Sequence, residues 1–303
     1  MSKITFCKLE NRGIIAVSGA DSRSFLQGLI SNDIEKVSET TSIYSTFLTP
    51  QGKYLFDFFI SQSSDELLMD CEKDRLPDFM KRLRLYKLRA AVEVLDRSED
   101  FQVMAIWGAG AIEAAGLTPE AGAAKTLPGG TLSVDPRLAD AGLRAVLSVG
   151  TTSIDGLSMS EVEFTDYDAH RLALGLPDSS RDLIVDKSTL LECGIDDLNG
   201  IDWKKGCYMG QEVTARSKYR GLVKKRLVAV EVDGPAPETG TLIMAGDKKA
   251  GEMRSSAGDK GLALIKLEFL GDDIALSVAD APSTSLKASK PEWAEFGDSQ
   301  ETS

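Results

Sequence analysis

Residues 204–216 read KKGCYMGQEVTAR, and this stretch decides how the rest of the chain is interpreted. It places Cys207 between Gly206 and Gly210, directly after a pair of lysines. Glycines allow backbone angles and close approaches that other residues resist. Cations or a helix N-terminus would stabilise a thiolate, so Cys207 is a candidate nucleophile or metal ligand. Because unpaired cysteine is often buried, spacing alone favours a small buried cysteine beside a turn.

Gln211 and Glu212 directly follow this loop. They have two explanations, which the residues alone leave open. Both are suited to bind a ligand through hydrogen bonds. Both are also ordinary first-turn residues of a helix, where the helix dipole favours an acid.

The composition is that of an ordinary globular chain of two or three domains: 303 residues, 42% hydrophobic and 27% charged. Its four cysteines form no Cys-x-x-Cys pair, and His170 is its only histidine, so we predict no metal site with local ligands and no His-based triad. The chain has no run of 18 apolar residues, and we expect no membrane partner. MSKITFCKLE lacks the features of a signal or transit peptide, which predicts a cytoplasmic protein.

The charge is strongly negative overall but uneven. A net charge of −12 argues against direct nucleic-acid binding, which requires clustered positive charge. Two segments are nevertheless basic, 81–89 and 204–226. They are suited to a small anionic ligand. The alternative is that both are solvated faces, which for 81–89 is an equally good explanation.

Strand and helix patterns alternate along the first hundred residues, which is typical of an α+β fold rather than a doubly wound parallel sheet. The strand patterns lie at 13–19, 42–49, 53–61, 66–72 and 90–96, and the helix patterns lie at 21–30 and 73–89. A later helix is predicted at about 158–175. From 223 onward the pattern is all β, as in a small barrel or sandwich.

These patterns divide the chain into four parts. They are an α+β region at 1–100, a second at 101–222 that carries the cysteine motif, a β-barrel at 223–286 and a tail at 287–303. The last eight or so residues are expected to be disordered.

The octapeptide KGCYMGQE closely resembles the signature of the YgfZ family, folate-binding proteins of iron–sulfur cluster assembly and repair. That family is related to the T-protein, the aminomethyltransferase of the glycine cleavage system. Further stretches match in order along nearly the whole chain: FLQGLISND (25–33), LTPQGKYLFDFFI (48–60), YKLRAAVEV (86–94), HRLALGLPDSSRDL (170–183), LNGIDWKKGCYMGQEVTARSKYRG (198–221) and AGEMRSSAGDKGLALIKL (250–267). Within the family the chain looks most like the α-proteobacterial and mitochondrial branch.

The resemblance implies an α+β, T-protein-like (GcvT-like) multi-domain ring with a C-terminal β-barrel, in which 1–100 is a folate-binding region. Tetrahydrofolate or a derivative is the implied cofactor. By motif, Cys207 is the implied functional thiol. The other positions implied near the folate are Lys205, Gly210, Gln211, Glu212, Arg171, Asn32 and Asp33. For Arg171, whose segment lacks the glutamate of the T-protein's Arg-Leu-Glu-Ala-Gly, a surface ion pair is an equal alternative.

One departure separates the chain from the T-protein. The T-protein has a catalytic carboxylate in a Gly-Gly-x-x-Asp-Asp hairpin, whereas residues 51–57 read QGKYLFD and keep only Asp57, displaced by a residue or two. A shift of one residue turns a strand side chain to the opposite face. Asp57 is therefore a candidate acid or base only if the chain is a transferase.

The resemblance implies an accessory protein for iron–sulfur clusters in client enzymes, including radical enzymes that modify tRNA. Its partners would be folate and iron–sulfur client or assembly proteins. A transiently bound cluster is compatible, but one cysteine is too few to hold a cubane cluster without a second chain or an external thiol. The alternatives are a tetrahydrofolate-dependent aminomethyltransferase or other one-carbon transferase, and a protein-docking module.

Overall fold

The structure, a computed structural model, describes residues 3–271 and 273–296, without the side chain of residue 282. The chain forms two compact units. Unit 1 comprises Met1–Tyr167 and Asn199–Gln211, and unit 2 comprises Asp168–Leu198 and Glu212–Ser303. The C-terminal stretch expected to be disordered lies outside the described residues from 297 onward.

Strands dominate unit 1. In chain order they are β1 (Ile4–Lys8), β2 (Arg12–Ser18), β3 (Ile43–Leu48), β4 (Tyr54–Ser63), β5 (Glu66–Glu72), β6 (Glu93–Asp96), β7 (Phe101–Trp107), β8 (Ala124–Leu127), β9 (Gly130–Val134), β10 (Leu143–Ser148) and β11 (Met159–Glu161). The helices of the chain are α1 (Ser22–Gln27), α2 (Leu76–Lys87), α3 (Ala111–Ala114), α4 (Phe164–Ala173), α5 (Ser179–Asp182) and α6 (Gln211–Tyr219).

The first sheet of unit 1 is antiparallel, with strand order β3-β4-β5-β2-β6. All five predicted strands and the amphipathic helix over 73–89 are confirmed, although the helix proper begins at Leu76. The buried stripe of α2 covers one sheet face, where the ring of Phe79 stacks on Phe56 at 4.5 Å and lies 5.0 Å from Phe58. Each such buried side chain contributes about 1.5–3 kcal/mol.

The second sheet of unit 1 has the order β11-β1-β7-β10-β9-β8. It packs face to face on the first sheet, and Cys7 and Val103 from one side share a core cluster with Ile14 and Leu68 from the other. The helix predicted over 158–175 is wrong at its start. Residues Met159–Glu161 instead form β11, because they pair in parallel with β1 and satisfy its open edge.

Unit 2 contains a closed β-barrel. Its strands are β12 (Lys225–Asp233), β13 (Leu242–Ala245), β14 (Lys248–Ala257), β15 (Lys260–Lys266), β16 (Leu276–Val278) and β17 (Ala281–Ser289), in the order β12-β15-β14-β13-β16-β17. Val228, Ile243, Met253 and Ile265 are among the side chains that fill its interior. Closure removes exposed strand edges, so the barrel needs no second sheet. The last strand, β17, ends at Ser289, three residues beyond the end predicted for the barrel at residue 286.

Candidate functional site

The signature loop, residues 202–210, is fixed in unit 1 by its first residue. The Asp202 carboxylate accepts hydrogen bonds from the backbone N–H groups of Lys204 (2.6 Å) and Lys205 (2.9 Å) and pairs with Lys36 at 2.6 Å. Burial works to raise the pKa of Asp202, but the bonds from Lys36 and the two N–H groups outweigh it and lower that pKa. Asp202 therefore stays ionised and anchors the start of the loop.

Lys205 ties the loop to the segment that follows α1. Its side chain is buried, and Nζ donates to the carbonyl oxygens of Ile30 (2.6 Å) and Asn32 (2.7 Å). The ammonium also lies 5.2 Å from the ring centroid of Tyr208. Burial lowers the pKa of Lys205 to about 8, against the opposing influence of Asp33 and of Asp202. The short bonds of Lys205 thus go to the protein's own backbone.

The end of the loop lies against the turn between β3 and β4. Gly210 has a φ of +83°, and a Cβ there would lie 2.5 Å from the carbonyl oxygen of Thr49. The backbone N–H of Met209 donates to the carbonyl of Gly28 at 3.2 Å. At Gly206, by contrast, a Cβ would meet none of the described atoms within 4 Å. Of the two glycines that flank Cys207, only Gly210 therefore needs to be glycine on conformational grounds.

Cys207 is exposed between these anchors, so the alternative of a buried cysteine is wrong for it. The other three cysteines are buried. Burial raises the pKa of Cys7 to about 11, that of Cys193 to about 12 and that of Cys71 further. Thiolate is the reactive form of cysteine, so these three thiols are inert at neutral pH. Cys207 is the cysteine of this chain that a second molecule can reach.

The motif ends at a helix. Gln211, half-buried, and Glu212, exposed, are the first two residues of α6. Glu212 lies where the helix dipole favours an acid, and this position leaves its carboxylate open to solvent. The structure therefore leaves both of their sequence-based explanations open.

Tyr208, beside the cysteine, was not singled out from the sequence. Its side chain is only 6% exposed, and its hydroxyl has no hydrogen-bond partner among the described residues. Burial raises its pKa to about 12, so the hydroxyl is neutral and can both donate and accept. A buried hydroxyl without a partner costs about 1–3 kcal/mol. Such an orphaned group fits the polar ring atoms of a pterin, and no sequence pattern marks it.

Asn32 and Asp33 are committed to local structure. The Asn32 amide nitrogen donates to the carbonyls of Tyr44 and Asn199, both at 2.8 Å, and its amide oxygen accepts from the backbone N–H of Asp33 at 2.7 Å. Asp33 accepts from the Gln27 amide at 2.8 Å and caps the turn that follows. These bonds join the first-domain motif to the segment just before the signature loop.

Asp57 is only 4% exposed and lies between two phenols. Tyr44 donates to one carboxylate oxygen at 3.0 Å, and Tyr54 donates to the other at 2.7 Å. Burial and the neighbouring Asp57 raise the pKa of both tyrosines, so both remain donors. Each oxygen of Asp57 is already engaged, which disfavours a role as general acid or base.

A buried cluster of charges near Asp57 also escaped sequence analysis. Asp70 bridges the Nε atoms of Arg12 (2.7 Å) and Arg144 (2.5 Å), and the Arg144 guanidinium lies 3.8 Å over the ring of Phe59. Burial works to raise the pKa of Asp70, but the two arginines lower it. Arg12 and Asp70 lie on β2 and β5 of the first sheet, and Arg144 lies on β10 of the second sheet. These residues therefore meet only because the two sheets pack against each other.

Arg171 belongs to unit 2 and is 1% exposed, so the surface ion pair considered for it is wrong. Its guanidinium donates to Asp168 (2.6 Å), Asp182 (2.8 Å) and Ser255 (2.8 Å), and also to the carbonyl of Leu176. With these bonds it joins α4, α5 and the barrel strand β14. Arg171 therefore has a structural role within unit 2, and we do not assign it to ligand binding.

Two further properties concern the described ranges 3–271 and 273–296. They contain no group of three or more His, Cys, Asp and Glu side chains placed to hold a metal ion. Within them, every helix is too short or too polar to cross a bilayer.

Two protein-family models match the chain: the GCVT N-terminal domain over residues 2–121, and the C-terminal beta-barrel domain of CAF17 over residues 224–296. A solved structure, the glycine cleavage system aminomethyltransferase T from Bartonella henselae, superposes with a TM-score of 0.77 at 12% identity and covers 95% of this chain and 85% of that one. The predicted α+β, T-protein-like fold with a C-terminal β-barrel is thereby confirmed.

Similar curated proteins include iron–sulfur cluster assembly factors. The human mitochondrial factor IBA57 is 31% identical, over 94% of this chain and 84% of its own length. The mouse protein is 28% identical, over 95% and 85%. The homolog from Mycosarcoma maydis is 34% identical over 73% of this chain, and the match spans only 55% of that protein.

These relatives refine one prediction and correct another. The relation to iron–sulfur assembly and to the T-protein is confirmed, but the relatives carry the name IBA57 rather than YgfZ. The predicted cytoplasmic location is wrong, because the relatives are named as mitochondrial and point to that compartment. The prediction rested on the composition of one short segment, which does not determine a compartment.

Proposed function

We propose that this chain, which belongs to the IBA57 family of iron–sulfur cluster assembly factors, helps to assemble or repair clusters in client enzymes through the thiol of Cys207. One observation carries the proposal. Of the four cysteines, Cys207 alone is exposed, and it lies on a loop anchored on both sides of it, by Asp202 and Lys205 before it and by Gly210 after it. A thiol presented in this way contacts a cluster or sulfur atom held by a second molecule at low entropic cost.

Any cluster here is cargo. Because Cys207 is a single ligand, a client or assembly protein, or an external thiol, must supply the others. We propose iron–sulfur client and assembly proteins as the partners, with radical enzymes that modify tRNA among the clients.

We further propose that the chain binds tetrahydrofolate or a derivative, with Tyr208 and Gln211 among the contacts. The orphaned hydroxyl of Tyr208 supports this, together with the GcvT-like fold. Bound folate would supply a pterin and an anionic tail. The protein's own part would be to bind and orient that ring. We do not extend the proposal to one-carbon transfer, because both carboxylate oxygens of Asp57 accept bonds from tyrosines.

Complementation tests the thiol. In a strain that lacks the factor, we expect Cys207→Ser to leave client enzymes with low cluster content and activity. Gly206→Ala, one residue away and free of close contacts, should complement fully and serves as the matched control. Full complementation by Cys207→Ser would refute the role of the thiol.

Calorimetry with 5-formyl-tetrahydrofolate tests the ligand separately. We expect binding by the wild type, about tenfold weaker binding by Tyr208→Phe because one hydrogen bond is lost, and little change in Cys207→Ser. No binding by the wild type would refute the folate proposal and leave the thiol proposal standing.

A further inference from the structure

Unit 2 contains a cavity of about 1030 Å³ that the proposed function does not use. It lies where the segment 191–197, α6, β12 and the end of β17 come together within that unit. Leu191, Leu267, Leu270 and Phe296 give it an apolar wall. This volume is at the upper end of the range for small-molecule sites, so it accommodates a ligand of considerable size.

One of the residues that line this cavity, Asp196, carries a buried acceptor. The side chain of Asp196 is 3% exposed, and its Oδ1 accepts no hydrogen bond from the described residues. Its other oxygen lies 3.3 Å from Nζ of Lys218. Nη1 of Arg226 lies 3.5 Å from Oδ1, close enough for charge attraction but without hydrogen-bond geometry. Oδ1 thus lacks a donor.

A buried donor lies beside it. Arg226 donates from Nη1 to the carbonyl oxygen of Leu191 at 2.5 Å, and its guanidinium lies 4.9 Å over the ring of Phe296. Its Nε is buried and has no acceptor among the described residues. The ring and the carbonyl fix the guanidinium, so Nε cannot readily turn towards solvent. Two residues of the cavity lining therefore carry one buried donor and one buried acceptor without hydrogen-bond partners among the described residues, and leaving buried groups unpaired is costly.

The charges around the cavity balance. Three acids line it, Asp196, Asp197 and Glu295, and three bases line it, Lys218, Arg226 and Lys290. Burial, and then the neighbouring Asp196, raise the pKa of Asp197, as expected in a poorly hydrated site. A phosphate or polycarboxylate would be repelled by the acids, and an ammonium by the bases. The lining selects an uncharged ligand that both donates and accepts.

We propose that this cavity binds a segment of a partner polypeptide through one backbone amide and a neighbouring apolar side chain. The amide carbonyl would accept from Nε of Arg226, and the amide N–H would donate to Oδ1 of Asp196. The apolar side chain would pack against Leu267, Leu270 and Phe296. A secondary amide supplies both bonds from adjacent atoms without charge, which is what the neutral lining requires. The proposal rests on unit 2 alone and does not depend on Cys207 or on folate.

Defined probes test this chemistry on the full chain. The first probe is N-methyl-4-methylpentanamide, which has one secondary amide and a leucine-like chain. The second is its ester, methyl 4-methylpentanoate, which lacks the N–H. Titration followed by backbone-amide chemical shifts should show saturable binding of the amide in the millimolar range, as expected for so few atoms. The ester should bind about tenfold more weakly, because Oδ1 of Asp196 then stays unpaired.

Variants locate the binding. Arg226→Lys keeps the charge but removes Nε, and Ser289→Trp fills the cavity from an exposed position on β17. Each should weaken the amide about tenfold. Asp233→Asn, exposed and on the same strand as Arg226, is the matched control and should leave binding unchanged. Ser289→Trp keeps the test valid if Arg226→Lys fails to fold.

A longer probe tests for a polypeptide. The blocked tripeptide N-acetyl-Ala-Leu-Ala methylamide should bind more tightly than the single amide. The proposal is overturned by any of four results: no saturable shifts in the wild type, equal binding of amide and ester, unchanged binding in Ser289→Trp, or a tripeptide that binds no better than the single amide.

Discussion

The two glycines that flank Cys207 look alike in the sequence but differ in what alanine would cost. At Gly210, φ is +83°, a region that costs alanine about 1–2 kcal/mol. Its Cβ would also lie 2.5 Å from the Thr49 carbonyl oxygen and 3.1 Å from Cα of Gly52, both backbone atoms. Forcing such contacts apart typically costs about 1–3 kcal/mol. The loss of chain entropy in the unfolded state offsets about 0.4–1 kcal/mol, so Gly210→Ala should destabilise unit 1 by about 1–5 kcal/mol.

Gly206→Ala is the matched control. A Cβ there would meet none of the described atoms within 4 Å, and φ lies outside the left-handed region. The substitution therefore changes stability only by lowering the conformational entropy of the unfolded chain. We expect no change, or a gain of up to about 1 kcal/mol. Urea unfolding followed by circular dichroism measures both. In Gly210→Ala we also expect faster hydrogen exchange across residues 202–210, because the loop loses its contact with the β3–β4 turn. Equal unfolding free energies for the two variants would refute this reasoning.

Three further predictions concern buried polar groups in unit 1. Asp70→Asn should cost about 3–5 kcal/mol in urea unfolding, because it leaves Arg12 and Arg144 buried without their counter-ion; a loss below about 1 kcal/mol would contradict it. The pKa of Lys205 is about 8 in the folded chain and 10.5 ordinarily, so between these values the unfolded chain binds more protons and the stability of wild type relative to Lys205→Met should rise with pH. A flat difference from pH 8 to 10.5 would count against this. Tyr208→Phe should raise the stability of the ligand-free protein by about 1 kcal/mol while it weakens folate binding; a loss of stability would mean that the hydroxyl has a partner in the fold.

Local patterns predicted the elements because the physics that forms them is local. The β-rich run of β4 and the three- and four-residue spacing of α2 depend on neighbours along the chain, and both elements were found. The strand β11 was missed because its reason to exist is the open edge of β1, more than 150 residues earlier. The same limit hid the Asp70 cluster, whose members lie on three strands. Arg171 has contacts of both kinds. Its bond to Asp168 joins residues three apart on a helix and can be expected from the sequence, whereas its bonds to Asp182 and Ser255 depend on the fold.

The residues of the signature motif have different roles, which the resemblance alone did not distinguish. Its resemblance marked Lys205, Gly210 and Cys207 together as functional positions. In the structure, Lys205 bonds to backbone carbonyls and Gly210 packs against a turn, so both fix the loop. Cys207 is then left exposed between them. A rigid loop favours contact between the thiol and a cluster bound to a second molecule. A mobile loop would have to be ordered on binding, and that entropic cost would lower the affinity. Lys205 and Gly210 therefore act together with Cys207, because they hold the loop that presents the thiol. A substitution at Gly210 should reduce the activity that depends on Cys207, although the thiol itself is unchanged.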